Sequence, residues 1–178
     1  MTNLFNYNRA LFISGLLFTI HNIEEAVGTA YFVLPPDVSL PIELPGTVPM
    51  IWSVVLITLI GWCVILWAVR QPHVVRKRNI LTFLVLLFLI NALIPHVAAS
   101  IALRKYTPAL FTSVFIYLPY ALFNLPKLYR QFEIKKQFYG VLFLGILATL
   151  AIVVALHRIT TFIFSKPIFA SLALQSLG

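Results

Sequence analysis

The sequence predicts an all-α fold, a helical integral membrane bundle of five or six transmembrane helices, on three observations. Of the 178 residues, 61 % are apolar and only 10 % charged, whereas a soluble domain is about a quarter charged. Mean hydropathy is +0.97. Several apolar runs approach the ~20 residues that a helix needs to cross a bilayer. Backbone groups cannot stay unpaired in hydrocarbon, so such runs must be helical.

The elements follow in order. Leu11 to Ile20 is too short to span alone and continues through His21, giving a first span over 9–29. A signal peptide is the competing reading of this stretch, but two adjacent glutamates are poor company for a cleavage site. Tyr31 to Pro49 holds Pro35, Pro36, Pro41, Pro45 and Pro49 and no Lys or Arg. Repeated proline prevents a regular helix, so an interfacial loop or lid is expected. The second span is 50–69, ended by a basic break from Arg70 to Arg78, and the third is 80–103, closed by Arg104 and Lys105. The fourth, 108–125, places Pro108 in its first turn and a kink at Pro119. A break with Lys127, Arg130, Lys135 and Lys136 precedes the fifth, 138–157. The apolar tail 159–177 is either a sixth span or lies along the surface. One transmembrane domain without internal repeats covers 1–178.

The net charge is +8, from thirteen Lys and Arg against five Asp and Glu. In a soluble protein that imbalance suggests nucleic acid. Here the cations sit in the polar breaks, which argues against a nucleic-acid partner and for anionic headgroups of the lipid bilayer. Over five crossings, Arg9 and the cations of the second and fourth breaks share one side, against Arg104, Lys105, Arg158 and Lys166 on the other. That excess predicts a multi-pass cell-membrane protein with a cytoplasmic amino terminus. Cys63 is the only cysteine, so no intramolecular disulfide or thiolate metal cluster exists.

Glu24 and Glu25 are the acids inside a predicted span, where a central charge costs on the order of 2.5 to 3.5 kcal/mol. His21 precedes them by three and four residues, so all three project from one flank of the helix. Asn91 and His96 arrive at similar depth, His96 roughly 24 Å along the third span and Glu25 roughly 21 Å along the first. Pro95 cannot donate to the Asn91 carbonyl, which marks a polar pocket. On an ideal helix Asn91 and His96 lie about 140° apart, so either a kink reconciles them or only His96 faces the site. His21, Glu24, Glu25 and His96 are therefore candidate ligands for a divalent metal, zinc or iron, with Glu24 and Glu25 as candidate catalytic acid and base. Glu25, closer in azimuth to His21, is expected in direct contact and Glu24 in support. Asn91, Thr112 and Arg104 are candidates for substrate contact or support. Ser53, Ser113 and His157 are weaker ones. The same residues also fit a buried network that only locks helices together.

His21-Asn22-Ile23-Glu24-Glu25 resembles the signature of the HXXEE domain family of small bacterial membrane proteins. The Asn91 to His96 segment, and Arg104-Lys105-Tyr106-Thr107-Pro108 followed by Thr112, are similar to that family's pattern. The likeness covers about residues 10 to 125. Where the family usually has glycine after the proline, this chain has Ala109, which bears only on the local turn. The resemblance implies a polytopic membrane protein with His21, Glu24, Glu25 and His96 as its functional centre, and it brings no established activity. Intramembrane proteases of the CAAX-processing class carry an arginine four residues after their paired glutamates; here that position is Thr29, against that assignment. The chemistry points to a membrane-embedded enzyme on a lipophilic small molecule. The alternative is a proton-coupled transporter or an accessory helix bundle.

Overall fold

The computed structural model describes residues 6–33 and 46–164. They form five helical elements: α1 (Tyr7–Tyr31), α2 (Thr47–Arg70), α3 (Val74–Leu103), α4 (residues 110–130) and α5 (Lys135–Phe164). No strand occurs among the described residues. Helices α1, α2, α3 and α5 are each long and apolar enough to cross a membrane. The remaining helix, α4, is interrupted by a π-helical stretch. The chain is a helical bundle of the membrane-spanning kind.

The helices run further into the polar breaks than hydropathy suggests. α3 starts at Val74, so Arg76, Lys77 and Arg78 lie within its first turns and the break shrinks to Gln71–His73. α4 runs to Arg130 rather than Leu125. α5 passes His157 and Arg158 without a break and reaches Phe164. Long cationic side chains lay their methylene stems along apolar surface while the charge stays wet, so Lys and Arg do not end a membrane helix. α2 begins at Thr47, with Pro49 in the first turn, where no amide donor is required. At α4 the shift is opposite: Pro108 precedes the helix, which opens at Leu110 behind Ala109. The expected lid, and a sixth span beyond residue 164, lie outside the described residues.

Hydrophobic packing is densest in the half of the bundle that holds the amino end of α1. Leu11, Ile65, Leu81, Val85 and Leu128 are fully buried there. α1 and α2 approach closely through glycines set against aromatic rings. A Cβ on Gly15 would come within 2.8 Å of Trp62, and one on Gly61 within 2.5 Å of Phe18. Small residues are what allow membrane helices to come this near. The Trp62 indole donates to Thr19 Oγ1 at 2.8 Å, which satisfies its only polar atom.

Candidate functional site

Two prolines reshape the opposite half. Pro95 has no amide to give the carbonyl four residues back, and Ala92–Ala98 around it is π-helical. A π turn closes over five residues instead of four. Asn91 and His96, five apart, are thereby stacked on successive turns, with Asn91 Nδ2 3.3 Å from His96 Nε2. This resolves the 140° difficulty of an ideal helix. A second π segment, Ser113–Tyr117, leads into α4 ahead of Pro119.

His21 is fully buried. Its Nδ1 is 2.8 Å from Thr112 Oγ1, whose own proton points to the Ala109 carbonyl at 3.3 Å. The ring therefore donates through Nδ1 and turns the lone pair of Nε2 inward, where Asn91 Nδ2 lies at 2.9 Å. His96 faces the Pro108 carbonyl on one side and Asn91 on the other. A carbonyl only accepts, so the His96 proton belongs on that side and its Nε2 also presents a lone pair to the Asn91 amide. The two rings meet edge to face with centroids 4.9 Å apart. Tyr117 stacks on His21 at 4.1 Å and on Phe88 at 4.1 Å. Its buried hydroxyl has no hydrogen-bond partner among the described residues.

The two glutamates separate. Glu25 is half-buried, and ligand atoms of His21, Glu25 and His96 all lie within 4.8 Å of one another. No hydrogen bond engages the Glu25 carboxylate among the described residues. Glu24 turns to the start of α4, where it accepts from Phe111 N at 3.1 Å, Thr112 N at 2.8 Å and the Tyr106 hydroxyl. It thus caps a helix other than its own, satisfying amides that have no intrahelical partner. Thr112 is gripped twice by α1, through its amide by Glu24 and through its hydroxyl by His21. Desolvation, and then the Glu24 carboxylate it donates to, push the Tyr106 hydroxyl above the ordinary tyrosine range.

Thus His21, Glu25, His96 and Asn91 come together with Thr112 behind them, while Glu24 stands one step outside. Arg104 is exposed and ends α3 in a left-handed conformation, φ 47°. Ser53 belongs to a separate cluster between α2 and α5, 2.7 Å from Thr160 Oγ1 and 3.1 Å from His157 Nδ1. Tyr106 and Thr107, absent from the sequence candidates, bind Glu24 and the His96 carbonyl, the latter at 3.0 Å. Their only signal was their place within the Arg104 to Pro108 stretch. Ala109 has φ 60°, a conformation glycine adopts freely and alanine does not.

Beside Glu25 and Asn91 opens a cavity of about 480 Å³ between α1, α2, α3 and α5. Its walls are chiefly apolar. Phe18, Phe83, Leu87, Leu142 and Ile146 are among them, with Asn22, Ser53, Thr149 and His157 as other polar members.

No curated protein and no solved structure matches the chain. One family model does, over residues 12–124, described as a protein of unknown function with HXXEE motif. Those residues hold every group that positions the two imidazoles, and the motif itself is His21, Glu24 and Glu25. The chain belongs to the HXXEE family.

Proposed function

We propose that this protein is a membrane-embedded enzyme in which His21, Glu25 and His96 hold one divalent ion, zinc or iron, beside a lipophilic substrate. The observation that carries this reading is the convergence of the three ligand atoms within 4.8 Å. Both imidazoles support it, since each is held through the opposite side of its ring, as metal-bound histidines are. Ligands ~2.1 Å from a tetrahedral ion lie about 3.4 Å apart, so little more than an ångström of closure is required. Two imidazoles and a carboxylate suit zinc, and they are also the facial set that leaves positions open on ferrous iron. The Asn91 amide, which bridges the two lone pairs, must turn aside or present its oxygen when an ion enters. A bound ion supplies Lewis acidity at the end of the cavity.

Metal analysis of detergent-purified protein tests this. Wild type should carry about one equivalent of zinc or iron, and His21→Ala and His96→Gln below about a tenth, because removing a ligand removes the site. Metal below about a tenth of an equivalent in wild type, with Glu25→Gln and His96→Gln as stable as wild type, would leave acid/base chemistry or proton-coupled transport in its place.

The amino terminus is assigned to the cytoplasm on the same reading. Lys77 Nζ reaches Asn8 at 2.7 Å and Arg78 Nη1 the Gln131 carbonyl at 2.9 Å, which gathers the most basic segments at one end. In a Cys63→Ala background on intact cells, an impermeant thiol reagent should label Asp37→Cys and spare Lys77→Cys. The reverse pattern inverts the topology.

A further inference from the structure

The second π segment brings two side chains to His21. Thr112 and Tyr117 are five residues apart, as Asn91 and His96 are, and a π turn sets such a pair on one side of the helix. Thr112 meets the edge of the His21 ring, with Oγ1 2.8 Å from Nδ1. Tyr117 covers its face, with centroids 4.1 Å apart and planes inclined by 19°. Phe88 stacks on Tyr117 in turn, at 4.1 Å and 7°. The stack needs rings and no hydroxyl, since Phe88 takes part in it without one.

A buried hydroxyl without a partner destabilises a fold unless something else supplies the partner. Among the described residues Thr82 Oγ1 and Ser113 Oγ share that state with Tyr117, but their short side chains can turn to a carbonyl one helical turn back. A phenol oxygen, carried away from its own backbone by a rigid ring, has no such recourse. Tyr117 is also the member of the three that borders the cavity, beside Glu25 and Asn91. Glu25 is its counterpart. Its carboxylate accepts no hydrogen bond among the described residues, whereas Glu24 accepts three, and it is the charged group that acts on the Tyr117 hydroxyl. A carboxylate that gives one oxygen to an ion keeps the second, with its lone pairs, for a donor. One wall of the cavity thus holds a carboxylate without a donor and a hydroxyl without an acceptor.

We infer that the Tyr117 hydroxyl donates to the second oxygen of Glu25 when that carboxylate closes on an ion with His21 and His96. Tyr117 is then a positioning residue. It orients the Glu25 carboxylate as Thr112 orients the His21 ring, so that the second π segment supports two ligands of the centre at once. This rests on the proposed function, to which it adds a supporting group.

Zinc affinity of the purified full chain tests it, read by competition with a chromophoric chelator and set beside the thermal midpoint of the metal-free protein. Tyr117→Phe keeps the stack and removes the hydroxyl. Zinc should bind about tenfold more weakly, the lower end of what a lost supporting hydrogen bond costs. The metal-free midpoint should stay level or rise, because an unpaired buried group is gone. In a Glu25→Gln background the same substitution should change zinc binding less than about twofold, since the pair it would break is already lost. Tyr117→3-fluorotyrosine, close to tyrosine in size and a stronger donor, should tighten zinc instead, and it decides the matter should the Phe variant fold poorly. Unchanged zinc affinity in both variants, or a lower metal-free midpoint as the only effect of Tyr117→Phe, would overturn the inference and leave Tyr117 a packing residue. An equal tenfold loss with Glu25 and with Gln at position 25 would also overturn it, placing the partner of the hydroxyl elsewhere. Zinc bound equally with and without the hydroxyl sinks this inference alone, whereas wild type that binds no zinc sinks the metal centre and this inference with it.

Discussion

At the basic end of the bundle, α1 and α2 close on each other through Gly15 against Trp62, and around them Leu11, Ile65, Leu81 and Leu128 pack with no exposed surface. At the other end the helices are interrupted. α3 and α4 each contain a π segment, a left-handed Arg104 and Ala109 bracket the turn between them, and the buried residues include His21, Asn22, His96, Thr112 and Ser113. The first region maximises contact; the second gives up regular hydrogen bonding so that side chains five residues apart can converge. Strain and polar burial collect at the end where the metal centre is proposed, and the regular end holds the helices together.

Substitutions can break or sharpen that contrast. The largest effect is expected from Thr112→Val, which keeps shape and backbone but removes the acceptor of His21 Nδ1. Metal affinity should fall about 10- to 100-fold, the usual cost of a lost supporting hydrogen bond, read by competition with a chromophoric chelator. Unchanged affinity would mean that Thr112 does not orient the ring. Gly15→Leu is its counterpart in the regular end. Overpacking against Trp62 should cost about 1 to 3 kcal/mol in thermal or denaturant unfolding while metal per folded molecule stays constant. If metal is lost as well, the two regions are not independent. The smallest effect has the opposite sign: Ala109→Gly should stabilise by about 1 kcal/mol, since glycine meets no Cβ penalty at positive φ. A destabilised Gly variant would show that the left-handed turn is not strained.

The same contrast explains what could be read in advance. Apolar runs betray helices, so the five elements and the class of fold were legible, with errors at the ends where Lys127, Arg130 or Arg76 extend a helix into headgroup territory. His21 with two carboxylates three and four residues on, and His96 at matching depth, were also legible, because helix spacing and rise are regular. The convergence of Asn91 with His96 was not, for a π turn changes the angular step and leaves no trace in hydropathy. Tyr106 and Thr107 were missed for a related reason. They act from a connector whose hydrogen bonds follow no period, and only the finished fold brings Tyr106 to Glu24 across 82 positions of chain.

That long reach has a consequence for biosynthesis. α1 emerges from the ribosome first, with His21, Glu24 and Glu25 already in place, but Tyr106 and Thr112 follow 82 and 91 residues later. At about 5 to 20 residues per second, Glu24 and His21 wait roughly 4 to 18 s for their partners. During that interval α1 carries Glu24 near its carboxyl end without the amides and the hydroxyl that receive it in the finished fold. That end of the helix is therefore completed only when the turn between α3 and α4 arrives.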